Sequence, residues 1–365
     1  MKARGGAGAF ALATALGVVG VAAVAAPATA RGTTQEHADA TVLAKGLDGP
    51  FGLQVLGSHG FLVAESVSGE VTKVTRSGHQ RAVITGATGV AGVAAGQRKI
   101  FAVLGGADET GPAPAGKYPA SSVLRSDRAG HHVKVIADLA RYELRHNPDG
   151  QVQFVKGKPV DALSNPFAMT YSRYGLLVAD GGANDVLRVN PRTGRVSTFF
   201  VPPTVKDVKA CLAPGAQANP GTVGCDPVPT GVTVARGSVY VSTLGAEVPG
   251  AGRVYKLNPR TGRVQHVWKG LTAPTGVAVG ARGAIYVSEV EFGAPQGPPP
   301  AGFDPASVGR ITKIWYGHRT HAQVTMPTGL DFDHGRLYAS TWSIASFLGI
   351  QHAGQIVKVD RRAFR

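Results

Sequence analysis

The sequence predicts an all-β fold, a six-bladed β-propeller of four-stranded antiparallel blades, on three observations. One strand-opening motif recurs six times, each copy is followed by further strand signals, and the last copy falls one strand short where the chain's beginning can supply it. The 365 residues include 50 glycines, 24 prolines and 2 cysteines, and only 17% are charged. That mix excludes a coiled coil, a disulfide-stapled mini-protein and a long charged disordered chain.

In chain order, the first element precedes the fold. Lys2 and Arg4 stand before an apolar run over 9–26, and Pro27 and Ala28-Thr29-Ala30 close it. A basic region, an apolar stretch and a small-x-small ending describe a secretory signal peptide over 1–30, which predicts a secreted or extracytoplasmic protein. The alternative is an uncleaved anchor, since a run of about 18 residues stands at the lower edge of a span. Residues 31–40 read as a linker and 41–365 as the propeller domain. The 38 basic and 23 acidic residues give +15, and loss of Lys2 and Arg4 leaves +13.

The blades follow. Their openings are Pro50-Phe51-Gly52-Leu53, the degenerate Val90-Ala91-Gly92-Val93, Pro166-Phe167-Ala168-Met169, Pro229-Thr230-Gly231-Val232, Pro274-Thr275-Gly276-Val277 and Pro327-Thr328-Gly329-Leu330. Each leads to an apolar second strand, over 61–65, 100–104, 176–180, 239–243, 285–289 and 337–341. Third strands read over 70–75, 122–126, 185–189, 253–257, 310–315 and 355–360, and fourth strands follow in the first five units, such as 195–200 and 263–268. Period-two alternation, β-branched content and Gly/Pro punctuation argue for strands, and no segment sustains a helical period. The third turn is spelled twice as Asn-Pro-Arg-Thr-Gly, at 190–194 and 258–262, where Pro fixes φ and Gly takes the left-handed position. Residues 41–47 resemble the fourth strands 133–139 and 264–271, and are expected to pair as the outer strand of the last blade and close the ring. Units averaging about 53 residues exceed the roughly 40 to 45 of a compact blade, so the excess is insertion.

Cys211 and Cys225 stand fourteen positions apart in a Pro/Gly-rich stretch. Outside the cytoplasm such a pair predicts a disulfide, contributing about 3 kcal/mol by restricting the unfolded chain.

Up-and-down strands place the short turns on one face of the ring. Every long insertion (105–120, 139–163, 201–228, 244–252, 290–307 and 342–353) falls on the other. Binding residues concentrate on loops held by a rigid scaffold, so that long-loop face is the predicted site. Its candidate ligand contacts are Phe51, Asn165, Phe167, Thr230, Thr275 and Thr328. The plainer reading is that Pro and Gly shape the blade openings, the threonines satisfy neighbouring backbone groups and the phenylalanines plug the channel.

Glu65, Asp180 and Glu289 end second strands of alternate units, and with Asn165 they form a candidate calcium set. Strands about 4.8 Å apart put such residues on the order of 15 to 20 Å from one another, too far for one ion, so separate turn-capping carboxylates are the favoured reading. His318 and His321 lie around a predicted turn, and His131 and His132 follow another; both pairs read as exposed. No nucleophile elbow, His-Glu-x-x-His, phosphate loop or cysteine cluster is present. The basic excess falls on the short-turn face, at Arg76, Arg81, Arg128, His131, Arg192, Arg195, Arg260, Arg263 and Arg319, and suits an anionic envelope surface held in a salt-sensitive way. No aromatic-basic strip for nucleic acid is found.

The signal peptide, the Leu-Asp-Gly-Pro-Phe-Gly-Leu opening at 47–53, the Leu-Val-Ala-Asp and Tyr-Val-Ser-Glu strands and the Asn-Pro-x-Thr-Gly turns resemble the ScyD/ScyE family across the mature chain. The resemblance implies a secreted propeller with NHL-like repeats; it carries over no catalytic residue, and a pigment-pathway role does not follow from fold. The expected function is noncatalytic binding of a small molecule, glycan or protein by a monomer through the long-loop face. The alternative is an extracellular metal-dependent hydrolase of the propeller lactonase kind, with calcium as the possible cofactor. A third class, a quinone-dependent sugar dehydrogenase, lacks a recognisable cofactor cluster.

Overall fold

A computed structural model describes residues 39–106, 116–155, 158–160, 163–213, 219, 221–295 and 297–365. The expected signal peptide and residues 31–38 of the linker lie outside the described residues, as do 107–115, 214–218 and 220 of the insertions.

Six four-stranded antiparallel sheets are present. After β1 (Ala40–Leu47), blade 1 comprises β2 (Pro50–Val55), β3 (Phe61–Glu65), β4 (Glu70–Val74) and β5 (Gln80–Ile84). Blade 2 comprises β6 (Val90–Gly96), β7 (Lys99–Leu104), β8 (Ser122–Asp127) and β9 (Lys134–Asp138). An insertion then holds α1 (Leu139–His146) and a small hairpin, β10 (Gln153–Val155) and β11 (Lys158–Val160). Blade 3 is β12 (Pro166–Ser172), β13 (Gly175–Asp180), β14 (Asp185–Val189) and β15 (Val196–Phe200). Blade 4 is β16 (Pro229–Ala235), β17 (Ser238–Thr243), β18 (Gly252–Leu257) and β19 (Val264–Leu271). Blade 5 is β20 (Pro274–Val279), β21 (Ile285–Glu289), β22 (Arg310–Trp315) and β23 (His318–Gln323). Blade 6 has β24 (Leu330–Asp333), β25 (Arg336–Thr341) and β26 (Gly354–Val359), and β1 supplies its outer strand, running from Ala40 opposite Val359 to Leu47 opposite Gly354.

The second strands are apolar throughout because a blade lies on each side of them. In β3 every residue is buried: Phe61 and Val63 pack with Tyr338 of blade 6, while Leu62 and Ala64 pack with Val90 and Val93 of blade 2. Successive side chains of a strand point to opposite faces, so each blade feeds two apolar layers. Six such layers, one between each neighbouring pair, hold the ring. Each fully buried Leu or Phe contributes about 1.5–3 kcal/mol.

Two expectations are corrected. The insertion at 139–163 does contain a helix, α1, whose eight residues are too few to display a sustained period. Asp138 caps it by accepting from the Arg141 N–H at 2.9 Å, Asn147 ends it in the left-handed conformation, and Leu139 anchors it in the layer between blades 2 and 3. His318 and His321 are both on β23 rather than around a turn. His318 is exposed, but His321 is half-buried, its Nδ1 lying 2.9 Å from the Thr312 hydroxyl.

Candidate functional site

The axial mouth is made by a repeated defect in pairing. At five strand openings the register slips by one residue, and the extra residues are Phe51, Ala91, Phe167, Thr230 and Thr275. Such a bulge re-aims a side chain, and Phe51, Phe167, Thr230 and Thr275 accordingly line one axial cavity. Its volume is only about 50 Å³, against roughly 300–1,000 Å³ for a small-molecule site. The Phe51 and Phe167 rings stack on each other across the mouth, with centroids 5.3 Å apart.

The threonines are tied into the scaffold. Thr230 donates to the Pro274 carbonyl at 2.6 Å, Thr275 to that of Pro327 at 3.0 Å and Thr328 to that of Pro50 at 3.0 Å. Each hydroxyl therefore fastens its blade to the opening proline of the next. The glycines beside them permit this approach: a Cβ on Gly276 would stand 2.1 Å from the Thr328 carbonyl.

The acidic candidates occupy separate blades and are engaged separately. Glu65 accepts from the Asp48 N–H at 2.8 Å and from the Thr72 hydroxyl. Asp180 accepts from Ser164 Oγ at 2.6 Å, the Asn165 N–H at 2.7 Å and the Ala183 N–H at 3.1 Å. Glu289 accepts from the Thr272 N–H at 2.7 Å, Arg310 Nε at 2.7 Å and the Thr312 hydroxyl. In all three, one donor is the backbone amide one or two residues before the same blade's opening proline, so each carboxylate pins the incoming loop. Asn165 Oδ1 likewise accepts from the Gly106 N–H at 2.8 Å. Burial raises the Asp180 pKa to about 6 in spite of its donors, and raises that of Glu65. Among the described residues no three His, Cys, Asp or Glu side chains are gathered as a metal site. Glu65, Asn165, Asp180 and Glu289 thus do not fit a shared axial calcium ion.

The long-loop face is closed over blades 4 to 6. Val228, Leu244, Val290, Met326 and Ile344 form an apolar cluster there, with Phe51 and Trp342 against it. Beneath these loops Glu247 and Glu291 are held above the ordinary carboxylate range by burial, Glu291 further by the charge of Glu247. Cys211 and Cys225 form the expected disulfide, packed with Val205 and Ala251. The bond points to an extracytoplasmic environment, and no helix among the described residues is long and apolar enough to cross a membrane.

The larger cavities lie on the opposite, short-turn face, which the sequence reading had not singled out as concave. A groove of about 800 Å³ on blade 3 is lined by Tyr171, Arg173, Tyr174, Arg188, Arg192 and Arg195 among others. A second, of about 520 Å³, lies between blades 1 and 2 with His59, Lys73, Lys99 and Arg128, and a third, of about 500 Å³, lies between blades 4 and 5 with Arg236, Lys256, His266 and Arg282. Among the described residues no carboxylate lines any of the three. Arg173, Arg192 and Arg195 are exposed and form no ion pair among the described residues. By contrast Arg76, counted with the same basic patch, is committed: it donates to the Gly57 carbonyl, pairs with Asp333 at 3.6 Å and lies over the Phe61 ring.

No family model and no curated protein matches the chain. Solved structures do. A gluconolactonase from Xanthomonas campestris superposes with a TM-score of 0.53 at 13% identity, over 87% of this chain and 89% of that one. The PQQ-bound aldose sugar dehydrogenase of Streptomyces coelicolor gives 0.52 at 13% identity, over 88% and 96%. A protein of unknown function from Bacteroides thetaiotaomicron gives 0.51 at 14% identity, over 88% and 72%. At these identities the likeness is one of fold: a six-bladed propeller.

Proposed function

We propose that this chain is an exported, noncatalytic binding propeller, and that it holds an acidic polymer of the cell envelope against its short-turn face. The observation that carries this reading is the groove of about 800 Å³ lined by Arg173, Arg188, Arg192 and Arg195 with Tyr171 and Tyr174 and, among the described residues, no carboxylate. Uncompensated guanidinium groups attract anionic partners over roughly a Debye length, about 10 Å at 0.1 M salt, and bind carboxylate, sulfate or phosphate bidentately. Two further basic grooves on the same face let an extended chain touch more than one blade, which multiplies weak contacts. The long-loop mouth supports a ligand less well, because its cavity is small and its hydroxyls and carboxylates hold the ring together.

Retention on a sulfated or carboxylated polysaccharide column, compared with uncharged dextran, tests this. The protein is expected to elute from the charged column with salt and to pass through dextran. The Arg173→Ser, Arg192→Ser, Arg195→Ser triple variant is expected to elute at clearly lower salt with unchanged melting. Retention that survives the triple variant, or no retention at low salt, would sink the proposal. The competing metal-dependent hydrolase would instead show calcium-dependent lactone hydrolysis.

A further inference from the structure

Away from both faces' cavities, the seam between blades 2 and 3 ends in buried acid. Asp185, Leu187 and Val189 alternate along β14 and share one side of the strand; Leu187 and Val189 pack there with Leu139 of α1. On the helix, Leu139 and Glu143 stand four apart on its inward side, Leu139 fully buried and Glu143 2% exposed, and the half-buried Asn147 caps the helix C-terminus just beyond. The apolar half of each stripe meets the other, and so does the polar half. The loop after the helix is tied to the same spot, because Asp149 accepts from the Asn184 side chain at 3.1 Å.

Several acceptors at this polar end have no donor among the described residues. Asp185 is fully buried, and no donor reaches either of its oxygens among the described residues. Glu143 Oε2 and Asn147 Oδ1 are likewise buried and unpartnered. Asp180, directly opposite Asp185 in the β13–β14 register, has its oxygens taken by Ser164 and backbone amides and lends nothing but negative charge. The charges acting on Asp185 are those of Asp180, Glu143 and Asp149, all negative. Like charges directly opposite in a sheet destabilise it, and an ionised carboxylate buried without donors costs several kcal/mol. Protonation could relieve Asp185 and Glu143, but the Asn147 amide oxygen takes no proton and still faces in. Buried oxygens left without donors are what a hard cation of the calcium kind can satisfy, and such ions accept amide oxygens and water beside carboxylates.

We propose that Asp185, Glu143 and Asn147 form a binding site for a hard divalent cation, calcium being the probe, in the seam between blades 2 and 3. The set needs two carboxylates, an amide oxygen and water. It adjoins Asp180 but uses none of the oxygens of Glu65, Asn165, Asp180 or Glu289, and it is independent of the basic short-turn face.

The test is melting and calorimetric titration of the full chain with calcium chloride against chelator, for the wild type, Asp185→Asn and Glu143→Gln. For the wild type, calcium is expected to raise the melting temperature and to titrate near one ion per chain. In chelator Asp185→Asn is expected to melt at or above the wild type, since it loses an unpaired charge; in calcium it is expected to melt below, with at least tenfold weaker binding. Glu143→Gln, on the helix surface of the seam, should behave alike and serves if Asp185→Asn fails to fold. No calcium-dependent shift in the wild type, or a shift that persists undiminished in these variants, would overturn the site.

Discussion

Gly194 shows how much a single position can carry. It closes the Asn-Pro-Arg-Thr-Gly turn of blade 3 with φ +75°, and a Cβ there would stand 1.7 Å from the Ile136 carbonyl of blade 2's outer strand. Gly237, with φ +74°, has nothing within 4 Å of the same position. Gly237→Ala should therefore cost about 1 kcal/mol for the left-handed backbone alone, while Gly194→Ala should cost at least about 2 kcal/mol more, because backbone must move. Urea unfolding of the two variants measures the difference; equal midpoints would mean that the blades are free to part. Turn chemistry of this kind was legible in the sequence, since Gly194 and Gly262 take the left-handed position that the motif implies, with φ +75° and +72°; Asn190 and Asn258 add to it by accepting from the two amides that follow their prolines. The roles of Glu65, Asp180 and Glu289 were legible only as one of two alternatives. Their partners are backbone amides of Asp48, Asn165 and Thr272, and an amide has no side-chain signature.

Among the elements, the second and third strands of the blades followed from alternation and punctuation within one residue, whereas α1 and the β10–β11 hairpin did not. A helix of two turns held by one cap and one buried leucine leaves too few positions for periodicity to rise above composition. The stitches between blades on the short-turn face were hidden for a different reason. Arg125 donates to the Pro191 carbonyl at 3.0 Å and Arg188 to that of Pro259 at 3.0 Å, spanning 66 and 71 residues of sequence. Such pairs become visible only when the ring brings consecutive blades together.

The loops over blades 4 and 5 carry a pH prediction. Burial raises the Glu247 pKa to about 7 and that of Glu291 to about 8, from an ordinary 4.5, and the two repel. Folded-state values above unfolded ones favour the protonated protein, so this contribution is fully present below about pH 4.5 and is lost as pH rises to about 8. The wild type is expected to lose melting temperature relative to Glu291→Gln across that window, and the variant to melt higher at pH 8. Parallel profiles for the two proteins would refute the coupling.

For the whole molecule, the decisive contact is the pairing of β1 with β26, which joins the first described strand to the last. Ala44 and Leu47 of β1 are buried against Phe61 and Ile356, so the strand completes an apolar layer as well as a sheet. A protein lacking residues 31–47 should lose cooperative unfolding and show separate transitions by circular dichroism and calorimetry; a single coincident transition would contradict closure by this strand. Blade number and closure were readable because repetition is a property of the whole sequence. The location of the grooves was not, since a concavity between blades is made by the packing angle of two sheets and leaves no pattern in either one.

The same closure decides how the ring responds to pulling. Ala40 faces Val359, the Asp360 N–H donates to the Asp39 carbonyl at 2.9 Å, and Arg365 reaches Asp39, so both ends of the domain leave from one corner of one sheet. Tension applied through the two ends meets the β1–β26 ladder from its open end and separates it pair by pair, like a zip. Loaded in shear, the whole ladder would resist at once. The ring is thus built to open from its seam when pulled by its ends.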